Sequence, residues 1–436
     1  MECNNGEDVA AASTDTIPLL VTMSYAPDKS AIFDELRNIR ICLKWCALDH
    51  SSPARKLVSY LAFLLFVFIV PASTTLYLSS SKATAGSISF NQLVQLPESA
   101  LAAISFLTLA DFFRHHGLRQ LFLLDDALRD DSTSVRNGYT GELNRAFRYL
   151  AYILLPAFSV ELPHKVIFFA TVPLRVPHMW MLAMAATLAS WVYRTGVFLL
   201  VCVFFRLTCE LQILRFEGFF KMFEGEGSEG HGCLIFKEHL RIKRLLLVIS
   251  HRYRIFIIGC LVTITISQLG ALMLVLASKF EKDFCNSGDI VVCSVVQLTG
   301  FLMCLLGAAR ITHRAQNVVS IASRWHMTLT SSTPDTKLDA ATSEKKAATA
   351  HTNDEPNKSN CDATPNLSEQ TSLPPPSPQG ASSAFNSRQA LVMYLQHNGG
   401  GITIFGFALD RGLLHTIFVF EMTLVLWILG KVVVVS

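Results

Sequence analysis

Long apolar runs alternate with charged connectors along the chain. Seven runs stand out: Leu57–Leu78, Phe90–Phe113, Phe147–Val172, Met179–Phe205, Ile255–Ala277, Ile290–Ala309 and Leu413–Val435. About 20 apolar residues in a helix cross a bilayer core, so each run predicts a transmembrane helix. The second is the weakest, because Asn91, Gln92, Gln95 and Glu98 occupy its first turns. Pro71, Pro97, Pro156 and Pro163 fall inside runs. Spanning helices carry such prolines as kinks where neighbours satisfy the freed carbonyls. The pattern predicts an all-α membrane protein with seven transmembrane helices.

Several connectors keep the helical pattern going. Arg206 to Phe223 continues the fourth run with Leu207, Leu211, Leu214 and Met222 on one stripe. Phe236 to Arg254 leads into the fifth with Leu240 and Leu247, Ile311 to Met327 extends the sixth, and Arg388 to Gln396 is a short amphipathic segment. Together they predict either a packed bundle beyond the membrane or separate helices lying on its surface. Residues 1–30 and 328–387 break the pattern. Both are polar, and the second ends in Pro374-Pro375-Pro376-Ser377-Pro378, a composition that buries too little apolar surface to order itself. It reads as a linker or as a docking arm for a cytosolic protein partner. Four regions follow: a polar tail (1–30), six transmembrane helices with extensions (31–327), a polar insert (328–387), and an anchor helix with the seventh transmembrane helix (388–436).

Composition supports the membrane reading. The 436 residues are 51% hydrophobic and only 16% charged, where a soluble domain carries about a quarter charged residues. The partner this predicts is a lipid bilayer, of the plasma membrane or an endomembrane, and a net charge of +3 gives no reason to expect nucleic acid. Basic residues set the orientation. Of the 37 Lys and Arg residues, 29 lie before the first run or in the second, fourth and sixth connectors. Five lie on the opposite side and three within helices. This predicts a cytosolic N-terminus and an outside C-terminus, the reverse of a G-protein-coupled receptor. Residues 1–50 have no early apolar core with a cleavage site, so the first helix is expected to serve as an uncleaved insertion signal. The sequons at Asn357 and Asn366 then face the cytosol and stay unglycosylated.

The ionisable residues inside the runs are the candidate chemistry, because such groups are costly in a membrane and default to pairing or function. Arg194 falls near mid-membrane. Glu161 and Lys165 are four apart and share a helix face, with His164 one position off it. Glu161 or Glu421 is expected to neutralise Arg194. The eleven cysteines form no metal spacing, although Cys285 and Cys293 flank an expected outer loop and could bridge. His115, His116, His239, His251, His313 and His326 lie on connectors without metal spacing. The glycine-spaced acids from Glu224 to Gly230 read as a flexible turn. No catalytic arrangement, metal site or cofactor site is expected, and no enzyme.

Particular stretches carry a family resemblance. They are Leu43-Lys44-Trp45-Cys46 with Asp49 through Pro53, Gly117-Leu118-Arg119 leading to Leu124-Asp125, Trp191-Val192-Tyr193-Arg194-Thr195, and Ile249-Ser250-His251-Arg252-Tyr253-Arg254. The strongest runs from Arg388-Gln389-Ala390-Leu391 through the glycines 399–401 to Asp410-Arg411 and His415-Thr416-Ile417-Phe418. The chain resembles the plant gustatory-receptor-like family, itself distantly similar to insect gustatory and odorant receptors. That resemblance implies an insect-chemoreceptor-like architecture with cytosolic helix extensions. It also implies a homotetramer around a central pore lined by the seventh helix, and a ligand pocket in the outer half of the first six helices. By position the pocket candidates are Glu161, His164, Trp180, Trp191, Tyr193, Arg194 and Gln268. The pore candidates are Glu421, Thr423, Gly430 and Lys431. Thr423 matches the insect signature, whereas Leu424 stands for its Tyr, and Gly430 and Lys431 replace its Gln-Phe. Lys431 then either rings the outer mouth with positive charge, which opposes cations, or snorkels to the headgroups. The implied function is a ligand-gated channel subunit or chemosensory receptor. The alternative is a non-conducting scaffold acting through its insert and anchor bundle.

Overall fold

The computed structural model describes residues 43–44, 53–80, 85–115, 133–171, 179–224, 231–277, 284–331 and 378–434. The chain divides between Trp45 and Cys46. Of the first unit only the helical residues 43–44 are described, and everything below concerns the second.

The first span is three joined pieces, α1 (Pro53–Phe63), a π-helical segment (Leu64–Ile69) and α2 (Val70–Ser80). It is followed by α3 (Ala85–His115), α4 (Thr133–Thr171), α5 (Met179–Met222), α6 (His231–Ala277) and α7 (Phe284–Ser331). Then come α8 (Pro378–His397), a hairpin of β1 (Thr403–Ile404) and β2 (Phe407–Ala408), and α9 (Arg411–Val434). Among the described residues, seven helical segments are long and apolar enough to cross a membrane, one for each run in the sequence.

Pro71 explains the irregular first span. Its missing N–H leaves carbonyls near Val67 without their helical donor, and the backbone just before it widens into the π segment, a rare insertion inside an α-helix. Two hydroxyls from neighbouring helices take the loose carbonyls. Ser99 of α3 donates to the Val67 carbonyl at 3.1 Å, and Ser190 of α5 donates to that of Phe66 at 2.5 Å. The kink is thereby the point where the first span is tied to α3 and α5.

Helix α5 is the centre of the bundle. It packs against α2, α3, α4, α6 and α7, and 89% of its most apolar window is buried, against 22% for the first, third and seventh spans. Its 44 residues extend about 66 Å at 1.5 Å per residue, roughly twice a bilayer core. The far halves of α5 and α7 and the near half of α6 therefore run on together past the spans, and α8 packs on α6 and α7. Phe219, Phe223, His239, Trp325 and Tyr394 form a continuous aromatic core there, edge-on except for the tilted Phe219–His239 pair. These extensions pack as a bundle and do not lie apart on a surface.

The stretch 328–387 is narrower than its composition suggested: α7 continues to Ser331, and α8 begins at Pro378, a residue suited to a first helical turn. Residues 1–30, 332–377 and the acidic turn 225–230 lie outside the described residues, as do Gly117 to Asp125 and the two sequons. Cys285 and Cys293 do not flank a loop. Both fall in α7, eight residues or about 12 Å apart along the helix, and Cys293 is a free thiol.

The hairpin has no counterpart in the sequence reading. Its register, Thr403 with Ala408 and Ile404 with Phe407, leaves Phe405 and Gly406 as a two-residue turn with φ of 49° and 88°. Positive φ at both positions is the requirement of a type I′ turn. Glycine meets it freely. Phe405 is held there with its ring under the Arg254 guanidinium, 4.8 Å from the centroid. Thr312 and Ser250 accept from the backbone N–H groups of Ile402 and Thr403, seating the hairpin on α6 and α7. Asp410 then caps α9 by accepting from the Leu413 N–H at 2.8 Å, a standard start for a helix.

Candidate functional site

Polar side chains gather at one end of the spans, where α3, α4, α5 and α7 meet. Each helix contributes residues spaced for one face. Helix α3 offers Gln95, Glu98 and Ser99, α4 offers Glu161, His164 and Lys165, α5 offers Ser190, Arg194 and Thr195, and α7 offers Asp289, Cys293 and Gln297. All are helical in regions whose opposite faces are apolar, so the chain places them inward by burying the rest of each helix where it can.

Arg194 is 3% exposed. Its guanidinium lies 3.1 Å from the Glu98 carboxylate and donates to the Gln95 carbonyl and the Ser99 hydroxyl, both at 3.2 Å. The expected partners, Glu161 and Glu421, are elsewhere. Glu161 pairs with Lys165 at 3.2 Å, as the four-residue spacing predicts, and Lys165 also reaches Asp289 of α7 at 2.5 Å. His164 Nδ1 lies 2.6 Å from the other Asp289 oxygen. Every carboxylate in this cluster thus meets a cation or an imidazole, as buried charges must. Glu161, His164 and Asp289 are close enough to hold a metal ion, with ligand atoms within 4.8 Å of one another, but the Lys165 ammonium already occupies the cation's place between the two carboxylates.

Beside the Glu98–Arg194 pair is a small cavity lined by Leu101, Trp191, Thr195, Phe198, Cys293, Val296 and Gln297. It has room for about one water molecule. Two complementary atoms on its wall have no partner: the Arg194 Nε donor and the Gln297 Oε1 acceptor, both on buried side chains. The Gln297 amide nitrogen donates to the Cys293 sulfur at 2.7 Å, which fixes the free oxygen's position. The close approach of α7 to α5 depends on Gly300, where a Cβ would meet Phe198 at 2.8 Å and Leu199 at 2.9 Å. A charged recess of this size with aromatic walls can hold a water molecule, which both donates and accepts a hydrogen bond.

The structure brings together Glu161, His164, Trp191 and Arg194 of the candidate residues. Tyr193 turns toward the first span, its ring 5.3 Å from that of Phe66. Gln268 is fully buried on α6, away from the cavity lining. The Trp180 and Lys431 side chains lie outside the described residues. Glu421 and Thr423 do not share a face: Glu421 is buried and accepts from Thr265 of α6 at 2.5 Å, while Thr423 is exposed and bonds only its own helix. Glu98 and Asp289 are partners that the sequence did not announce. Glu98 was visible only as a blemish in the weakest run, and Asp289 falls one residue before the sixth.

A family model described as a protein of unknown function (DUF3537) matches residues 34–420. The chain belongs to the DUF3537 family. No curated protein matches it. Among solved structures, this DUF3537 member is similar to the insect olfactory receptor OR5 from Machilis hrabei. The TM-score is 0.51 at 11% identity, covering 91% of this chain and 98% of the receptor. The same receptor in complex with eugenol gives a TM-score of 0.56 at 11% identity, covering 92% and 99%. At this identity the likeness is one of fold, and it extends over nearly the whole of both chains. The DUF3537 member is accordingly a multi-pass, seven-helix membrane protein with a chemoreceptor-like fold.

Proposed function

We propose that this protein is a chemoreceptor-like membrane protein of the plant gustatory-receptor-like kind, a subunit of a homotetrameric, ligand-gated channel. The cavity between α3, α5 and α7 carries this reading. It is a buried recess with one unpaired donor, Arg194 Nε, and one unpaired acceptor, Gln297 Oε1, at a junction of four spans that an organic ligand, larger than the water-sized space, would have to part on entering and would then brace. The Machilis hrabei receptor of the same fold has been solved with eugenol, which supports a small-molecule ligand. The basic connectors support a cytosolic side for the N-terminus and the helix extensions, with the cavity then in the outer half of the membrane.

In this reading α9 lines the pore. Thr416 and Thr423 are exposed and Gly430 is half-buried on one stripe of it, at seven-residue spacing that keeps them on a single face. That face is free for other copies around a central axis. Glu421 points the other way, so the charged ring expected from it does not form, and the wall is one of hydroxyls and apolar groups.

Reconstitution into liposomes with single-channel recording against a panel of small hydroxylated organic molecules, eugenol included, tests the proposal. Ligand-evoked currents are expected from the native chain. Gln297→Leu, which leaves every ion pair intact, should raise the concentration needed by about tenfold for the lost hydrogen bond. A folded tetramer silent across the panel and across voltages would refute conduction.

A further inference from the structure

Glu421 is fully buried in α9, on the face turned to α6. Its Oε1 accepts a hydrogen bond from Thr265 at 2.5 Å, and its Oε2 has no partner. Among the described residues no basic side chain pairs with it. On α6, three residues beyond Thr265, Gln268 is also fully buried, and neither end of its amide is paired. Positions three and four apart share a helix face, and α9 covers this one. Leu424 and Ile428 of α9 join Ala271 and Leu272 of α6 in one apolar cluster, next along the seam from the Thr265–Glu421 contact. Gln268 therefore lies between these two contacts, in the same seam as Glu421.

Three unpaired polar atoms on two buried side chains call for an occupant, and the negative charge calls for a positive one. The oxygens available are the Glu421 carboxylate, the Thr265 hydroxyl and the Gln268 carbonyl. Hard oxygen donors of this sort select hard cations over transition metals. A single carboxylate balances a single charge, whereas a divalent calcium site gathers six to eight oxygens, commonly with several carboxylates.

We propose that Thr265, Gln268 and Glu421 form a binding site for one sodium-sized monovalent cation, which clamps α9 onto α6. The site is separate from the cavity at α3, α5 and α7, and it requires neither ligand gating nor conduction.

Thermal unfolding of the purified full chain in nanodiscs tests it, with NaCl exchanged for N-methyl-D-glucamine chloride at fixed pH and ionic strength. The unfolding midpoint should rise with sodium and saturate. Glu421→Gln should abolish the rise, and Gln268→Leu, which keeps the carboxylate, should raise the half-saturating sodium concentration by about tenfold for one lost ligand. A midpoint equal in the two salts would overturn the proposal, as would a sodium response retained in folded Glu421→Gln. Stabilisation by acid alone, without any response to sodium, would assign the seam to a proton and overturn it equally. Should Glu421→Gln fail to fold, an unshifted sodium response in Gln268→Leu decides against the site.

Discussion

Two buried polar regions of this molecule handle charge in opposite ways. Where α3, α4, α5 and α7 meet, Glu98, Glu161 and Asp289 all find partners in Arg194, Lys165 or His164. In the seam between α6 and α9, Glu421 has one hydroxyl and, among the described residues, no cation. The first arrangement stitches four spans together with fixed side chains and leaves a small recess beside them. The second leaves the charge of the last helix open to something outside the chain. A membrane protein can use paired charges to define where helices sit and a lone one to respond to solution.

Substitutions separate the two. Removing one member of a paired set strands the other, which costs about 3–5 kcal/mol for a buried pair. Arg194→Met and Lys165→Met should therefore lower the thermal midpoint most. The double change Glu98→Met with Arg194→Met should cost less than Arg194→Met alone, since replacing both members of a buried pair with apolar groups is often near neutral. If the double variant is no better than the single, the pair is not the unit that matters. Glu421→Gln should have the opposite sign in sodium-free buffer, stabilising by about 1 kcal/mol as an unpaired charge becomes a neutral amide of the same shape. Ser190→Ala should cost about 1 kcal/mol, a single hydrogen bond's worth, through a carbonyl loosened at Pro71, and Ser99→Ala should cost more, because its hydroxyl also accepts from Arg194. Arg314→Ala, which removes a half-exposed pair with Glu217 at 3.5 Å, should cost under about 1 kcal/mol and marks the bottom of the scale.

Much of the scaffold was legible because its signals are local. The seven spans follow from the length of apolar runs, the helix extensions from continued periodicity, and Glu161 with Lys165 from a four-residue spacing. What was not legible depends on contacts between distant segments. Arg194 meets Glu98 across 96 positions and Lys165 meets Asp289 across 124, and no pattern within either helix announces its partner. Glu421 was placed toward a pore because it lies on the last helix, whereas its rotation is set by the apolar contacts of Leu424 and Ile428. The hairpin turn was hidden for a different reason. Phe405-Gly406 is an unusual pair for positive φ, and the groups that hold the turn, Arg254 over the Phe405 ring and Ser250 and Thr312 under the strand, come from other helices. The π segment likewise depends on two serines from α3 and α5 that stand far from Pro71 in the chain.

Cryo-electron microscopy of the full chain in lipid nanodiscs tests the proposed receptor architecture most directly. The account predicts four copies around one axis, with Thr416 and Thr423 of each α9 facing that axis and Glu421 turned back against α6. Single copies whose α9 faces only lipid, or an assembly whose axis is lined by another helix, would contradict it.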